Sequence, residues 1–509
     1  MKHFFQNFFI LTILGLFTFQ NCYSEAISFE TANQVAAQKM QLFNSNYRIS
    51  SEKSFPITAE HEKNLGYVFV LEPKGYIVVS GDSRLRPIIA HSQTSDFGKP
   101  SLAENVLFQF LHADLNNQIN NPEKVSHEVI KKRECSWQNY LNIRLQKAAA
   151  DSFEQWPPPG TTSTGGWLKT QLDQVDPYNR FCPLDILALE QEQKEVRVVA
   201  GCPSIAITQI MNYFQTINGT RFDDQDDYID NFYLSQGLQY RIDDDYEKLD
   251  FPSFSELNEQ LEKVELRLEH GRMLTAVEKA ALVFACGVAA KQIYSANISG
   301  TLSVQQACDA FLRFGFETAR LFTGSTTDSV LYANLSQNMK DGRPALLAVL
   351  TPQRDAGHNL VIDGYNTNDE YHLNFGFQGS YDGWYALPDA SIPGYNFNVI
   401  EGIILDIHEL QPTVVRAGQK AKLQDFALAN FPNPFNPVTT IEFSIPATQK
   451  IRLKIFDIQG REVAELLNEI RSAGVHRVEF NGNILASGVY FCKIMGGNFE
   501  INRKMILIK

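Results

Sequence analysis

The stretch VVAGCPSIAITQIMNYF, residues 198–214, puts a cysteine between a glycine and a proline where an amphipathic helix should begin. Pro203 suits the first helical turn, since its fixed φ is already helical and its missing N–H is not needed there. Ile207, Ile210, Met211 and Phe214 then recur at helical spacing and form one apolar stripe. Cys202 therefore stands at or next to the N-cap, where the positive end of the helix dipole favours the thiolate, the nucleophilic form of cysteine. From this segment alone, a small buried apolar residue is the favoured reading of Cys202. The rest of the chain has to decide.

A thiolate nucleophile needs a base, usually histidine, and a third group that fixes the imidazole. Of ten histidines, His358 stands out. It opens the first of two strands in DAGHNLVIDGYNTNDEYHLNFGFQGSYDGWYAL, residues 355–387, and Asn374 lies sixteen residues on, in the second strand. An asparagine oxygen accepts from an imidazole N–H and so fixes the tautomer. Strand side chains alternate, so the two share a face only if Asn374 lies opposite an even-numbered residue such as Leu360. A tight four-residue turn over 366–369 would give an odd register, so a longer loop or a bulge is expected. His372 reads as an ordinary strand histidine. The glycines at 357, 364, 376, 379 and 383 fit turns and bulges, or close approach of a substrate backbone. An oxyanion hole completes the requirement. The Cys202 N–H is one candidate donor, and Gln171 and Gln174 offer side-chain amides upstream.

With 509 residues, the chain has room for two to four domains. Its 44% hydrophobic and 20% charged residues are those of a globular protein. A net charge of -13 argues against a nucleic-acid partner. Residues 1–26 read as a signal peptide, with a basic start and an apolar run from Phe8 to Phe19 too short to span a bilayer. A lipoprotein site at Cys22 is poorly matched, because Phe19-Gln20-Asn21 lacks small residues. No other stretch reads as a membrane helix. The seven cysteines (22, 135, 182, 202, 286, 308 and 492) follow no metal-ligand spacing and are too sparse for a disulfide framework, though one pair remains open. The acidic runs 223–230 and 243–250 lack an EF-hand pattern and read as solvated loops.

Composition divides the rest. Residues 27–150 carry helix patterns and the hairpin GYVFVLEPKGYIVVSGD. Residues 151–166, containing WPPPGTTSTGG, read as a linker or processing region. Residues 167–407 place helix patterns first and antiparallel strand patterns second, which indicates α+β. Residues 408–424 read as a second linker, and residues 425–509 as short alternating strands of a small β-sandwich.

Taken in order, these motifs resemble the streptopain family of papain-like cysteine peptidases, secreted bacterial enzymes with an inhibitory prodomain. LKTQLDQVDPYNRFCP, GCPSIAITQIMNY, GHNLVIDGY and YHLNFGFQG carry the likeness, with GYIVVSGDSRLRPIIAHS in the prodomain. The resemblance implies Cys202 as nucleophile, His358 as base, Asn374 as its orienter and Gln174, rather than Gln171, as oxyanion donor. Pro203, Ser204, Leu172, Phe375 and Phe377 depart from the family pattern, the last three where tryptophans are usual. FPNPFNPVTTIEFSIP, IFDIQGREVAEL, AGVHRVEFNG, ASGVYF and KMILIK resemble the C-terminal sorting domain of type IX secretion. The expected architecture is α+β: a prodomain, a papain-like peptidase domain and a small immunoglobulin-like sandwich.

The function so implied is a secreted cysteine endopeptidase made as a zymogen. Its partners would be protein or peptide substrates, its own prodomain and the secretion machinery, with no metal or organic cofactor. Two alternatives stay open: an inactive adhesin or binding protein that keeps the fold, and an acyl- or glutamyl-transferring enzyme with the same Cys-His-Asn chemistry. The immunoglobulin-like segment also reads, on fold alone, as a module that binds carbohydrate or protein.

Overall fold

The structure is a computed structural model. It describes residues 26–507 except 44–46, 60–62, 103–104, 122–126, 142–152, 230–238, 297, 324–327, 351–356, 388–399, 409–426, 432–434, 446–447, 473 and 497–498. The signal peptide and nearly all of the second linker lie outside the described residues. The chain forms two units, residues 1–410 and 411–509.

In the first unit, the N-terminal segment contributes helix α1 (Phe29–Gln41), strands β1 (Arg48–Thr58), β2 (Asn64–Glu72), β3 (Tyr76–Ser80) and β4 (Ile88–Ser92), and helices α2 (Val106–Asn120) and α3 (His127–Leu141). Ser28 caps α1 by accepting from the Thr31 N–H, and Asn105 caps α2 by accepting from Phe108. Next come β5 (Gln155–Trp156), α4 (Cys202–Phe214), α5 (Phe254–Glu269), α6 (Ala276–Ala289) and α7 (Val304–Arg313). Then follow β6 (Arg320–Phe322), α8 (Asp328–Lys340), β7 (Ala345–Leu350), β8 (Gly357–Asn366), β9 (Glu370–Asn374), β10 (Gly383–Tyr385) and β11 (Ile400–Leu405). Capping boxes at Ser253/Glu256 and Thr275/Glu278 start α5 and α6. After residue 200 most of the helices precede the longer strands, as the pattern indicates.

All these strands join one antiparallel sheet, ordered β1-β2-β3-β4-β10-β9-β8-β7-β11-β6, with β5 paired to β8. The sheet runs across what the sequence reads as two domains, because β4 pairs with β10 through His91 opposite Trp384 and Ala90 opposite Tyr385. One apolar core accordingly spans both: Val78, Leu111 and Leu115 pack with Leu335, Leu347, Ile362 and Tyr385. A second core lies around α4, where Ile207, Ile210 and Met211 are fully buried with Leu282 and Phe284 of α6. Each of those α4 side chains contributes about 1.5–3 kcal/mol, so packing more than propensity sets the helix. The expected first linker, described from residue 153 onward, joins the fold as well. Trp156 pairs with Tyr365 in the sheet, and their rings stack at 6.0 Å.

The second unit has two antiparallel sheets. One contains β12 (Ala427–Phe431), β13 (Val438–Ile445) and β16 (Gly474–Asn481); the other contains β14 (Gln449–Asp457), β15 (Glu462–Arg471), β17 (Gly488–Gly496) and β18 (Phe499–Leu507). They share a core of Ile441, Phe443, Ile451, Leu453, Ile494 and Met505, produced by alternation along each strand. Among the described residues all six cysteines are free thiols. No described helix is long and apolar enough to cross a membrane.

The β4–β10 seam contains a buried ion cluster. Lys39 Nζ lies 3.2 Å from Glu370 Oε1, and His91 Nε2 lies 3.2 Å from Glu370 Oε2, which also accepts from Asn366 at 2.9 Å. Burial raises the Glu370 carboxyl, but the Lys39 charge and then His91 outweigh it and hold it well below the usual carboxylate range. Burial, followed by the Lys39 charge, pushes His91 below its ordinary value of 6.5 against the pull of Glu370. Lys39→Met leaves a buried carboxylate without its cation and should destabilise the first unit by about 3–5 kcal/mol in urea denaturation. Because the folded His91 binds a proton less readily than the unfolded one, its contribution is complete above pH 6.5 and is lost as pH falls below it. His91→Gln should flatten that part of the stability–pH curve.

Candidate active site

Cys202 is the first residue of α4, and the peptide before it is fixed from three directions. Ala200 N–H donates to the Gln174 carbonyl at 2.8 Å. The Ala200 carbonyl accepts from Gln292 Nε2 and from Ser204 Oγ, both at 2.7 Å. Gly201 has φ 88°, and a Cβ there would sit 2.6–2.8 Å from the Gln292 carboxamide. Glycine is thus required by backbone and space together. Ser204, a departure from the family pattern, closes the helix start onto Ala200 and Gly201.

His358 opens β8 and is buried. Its Nε2–H donates to the Phe375 carbonyl at 2.8 Å. A carbonyl only accepts, so Nε2 keeps its proton and Nδ1 is left for the thiol. The ring lies parallel to Phe377 at 5.1 Å and to Phe375 at 6.0 Å. These phenylalanines, which stand where the family pattern has tryptophan, screen the imidazole from water.

Cys202 Sγ accepts from the Asn359 backbone N–H at 3.3 Å and from Asn359 Nδ2 at 3.8 Å. Burial pushes the thiol up, but the His358 charge and hydrogen bond, then the two Asn359 donors, outweigh it and bring the thiol below its ordinary value. Burial pushes His358 down, while the Cys202 charge and hydrogen bond and the Phe375 carbonyl hold it above its ordinary value. Opposed shifts of this kind favour the charged form of each group, thiolate on Cys202 and imidazolium on His358.

Asn374 is placed differently from its expected role. Asn366, Tyr365 and Gly364 face Glu370, Tyr371 and His372; Asp363 is then an extra residue, and beyond it Ile362 faces Leu373 and Val361 faces Asn374. The bulge is present, but the three-residue turn before it had already given an even register, and the bulge makes it odd. Asn374 Oδ1 accepts from Gln209 Nε2 and from Gly376 N–H, both at 3.0 Å, and Nδ2 donates to the Thr170 carbonyl at 3.2 Å. The carbonyl of the next residue, Phe375, is what meets His358. Asp382 holds that same residue by its other backbone group, accepting from Phe375 N–H at 2.9 Å.

The two glutamines sit in different surroundings. Gln171 is exposed and its Nε2 reaches Asp382 Oδ2 at 3.5 Å. Gln174 is tied by its backbone to Ala200, and its half-exposed carboxamide makes no hydrogen bond among the described residues. Gln209, not anticipated from the sequence, links three elements, since its Oε1 also accepts from Leu172 N–H at 3.3 Å. Its signal is a polar residue two helical turns after Cys202, at a buried position of an apolar helix. Among the described residues no group of three His, Cys, Asp or Glu side chains is placed to hold a metal ion.

Three segments of the chain match known protein families. Residues 172–385 match the peptidase C10 family, residues 23–119 the Spi protease inhibitor, and residues 429–509 the secretion system C-terminal sorting domain. The middle of the chain is thus similar to the C10, or streptopain, family of cysteine peptidases, the segment before it to an inhibitor prodomain, and the segment after it to a type IX sorting tail. The chain is 24% identical over 340 residues to streptopain of Streptococcus pyogenes serotype M1, covering 64% of this chain and 74% of that one. Among solved structures it is similar to a Prevotella intermedia prointerpain A fragment, at 20% identity over 72% of this chain and all of that one, with a TM-score of 0.46. It is also similar to active interpain A cysteine protease of the same organism, at 22% identity over 49% and 97% of the two chains, with a TM-score of 0.34. The sorting tail marks the protein for export to the cell surface or the extracellular space.

Gly201→Ala should cost about 1–3 kcal/mol through backbone strain and collision with the buried Gln292. Urea denaturation checks the stability. Slowed alkylation of Cys202 checks that the sulfur has moved.

Proposed function

We propose that this chain is an endopeptidase of papain-like fold, made as a zymogen, with Cys202 as nucleophile and His358 as general acid and base. The observation that carries this reading is the facing of Sγ and the His358 ring, with opposed shifts and with Nε2 committed to Phe375. The thiolate attacks the peptide carbonyl carbon, a sulfur–carbon bond forms, and the carbonyl π electrons move to oxygen. The Cys202 N–H and the Gln174 carboxamide donate to that oxyanion. As the intermediate collapses, the C–N bond breaks and the leaving amine takes the proton from His358 Nδ1. Water then attacks the thioester, losing a proton to His358, and the thiolate leaves. Asn374 acts at one remove: by accepting from Gly376 it holds the turn that presents the Phe375 carbonyl.

The prodomain grips the same turn. Ser95 Oγ donates to the Gly379 carbonyl, and Tyr76 Oη donates to the Tyr381 carbonyl at 2.9 Å. The Tyr381 ring meets Phe375 and Phe377 edge-on at 6.2 and 6.0 Å. Removal of residues up to about 150 would free a turn that sits one residue from the base, which supports the zymogen reading.

Cys202→Ala should keep the fold and lower kcat/KM on an unfolded protein substrate by at least about 10⁴-fold. Full activity in that variant would refute the mechanism. Asn374→Ala should cost about 10²-fold or less, because a positioning contact is lost rather than a reacting group. The pH profile of kcat/KM should be bell-shaped. Its acid limb should lie below the ordinary thiol value of 9.0, and its alkaline limb above the ordinary imidazole value of 6.5.

A further inference from the structure

We propose that Asn359 is a further catalytic residue, whose carboxamide N–H donates to Cys202 Sγ and shares with the backbone the task of holding the sulfur as a thiolate. The inference rests on the reading of Cys202 as nucleophile.

Three observations carry it. Asn359 supplies two donors to one sulfur, its backbone N–H at 3.3 Å and its Nδ2 at 3.8 Å. Nδ2 has no other acceptor among the described residues, and Oδ1 is buried without a partner there. A buried amide oxygen left unpaired is unfavourable, so the side chain is not held here by satisfying its own polar atoms. The residue is also fixed in place: it lies in β8, where Asn359 pairs with Ala348, one position beyond the base. Position 359 is half-exposed, so an apolar side chain is equally admissible by burial alone.

The chemistry fits a thiolate better than a thiol. A thiolate accepts several hydrogen bonds and offers no proton, and an amide N–H turned toward it is charge-assisted. The charged group that faces Sγ is His358, on the same strand, and the start of α4 adds its dipole. The imidazolium attracts the thiolate only while protonated, whereas the Asn359 amide carries the same dipole at every pH. It therefore stabilises the thiolate independently of the charge on His358. In exchange it makes the sulfur less basic, and a thiolate of lower pKa is intrinsically a weaker nucleophile.

The test follows alkylation of Cys202 by iodoacetamide in the intact full chain against pH, with the modified peptide read by mass spectrometry. In the reaction the thiolate displaces iodide, so the rate follows the thiolate fraction. Asn359→Leu, which keeps volume without donors, should raise the acid midpoint by about one pH unit, slowing alkylation about tenfold below it. Well above the midpoint, the variant should react as fast as wild type or faster. Asn359→Asp puts a carboxylate beside the sulfur and should raise the midpoint further. Asn359→Ala gives the same readout if the leucine variant does not fold. A side chain that only supports the fold would lower rates without moving the midpoint, and an unmoved midpoint in the Leu variant overturns the proposal while leaving the role of Cys202 standing. A wild-type Cys202 that titrates as an ordinary thiol overturns both.

Discussion

The pairing of β4 with β10 is the contact on which the first unit depends. Two backbone pairs, His91 with Trp384 and Ala90 with Tyr385, turn two smaller sheets into one. That junction places Lys39 and His91 on Glu370, and Tyr76 beside Tyr381 and Tyr385. Tyr381 in turn packs on the phenylalanines that flank the imidazole. A short strand pairing thus connects a buried ion cluster, an aromatic layer and the candidate base.

The site itself faces a different constraint. A sulfur at the head of a buried helix is charged only if its surroundings compensate for lost water. Here compensation comes from several directions: the His358 ring, two N–H groups of Asn359 and the start of α4. The same care extends one layer outward. Ala200 is held by Gln174, Gln292 and Ser204, and Phe375 is bonded through both its N–H and its carbonyl. Gln209 joins the helix of Cys202 to the segments of Leu172 and Asn374. Several polar atoms around Cys202 and His358 are thus positioned by polar atoms on a different element.

Much of this was legible in the sequence. The apolar stripe from Ile207 to Phe214, with glycine before and proline after the cysteine, specifies a helix over 202–214, and that is where α4 runs. The β-rich runs at 358–365 and 370–377 mark β8 and β9, and the segment order marks α+β. Local periodicity carries such information because local geometry sets it. The β4–β10 pairing was not legible, since it joins residues almost three hundred positions apart and leaves no periodic trace. The partner of His358 was missed for a related reason: a backbone carbonyl has no side-chain signature, and only the combined effect of a three-residue turn and a one-residue bulge at Asp363 decides which atom arrives. Asn359 and Gln209 were overlooked because one polar residue in an apolar element has many harmless explanations. Their meaning comes from what they touch.

The same seam sets the fate of a chain that sheds its prodomain. While β4 is in place, β10 is an interior strand with both edges bonded. Once β4 leaves, β10 becomes a border, with unpaired amide and carbonyl groups and the Glu370 carboxylate stripped of Lys39. An open border invites another chain to add to it. This one spans only Gly383–Tyr385, and so short a stretch gives an incoming strand little to hold. In a chain cut behind the prodomain, that brevity would leave a second copy little to pair with.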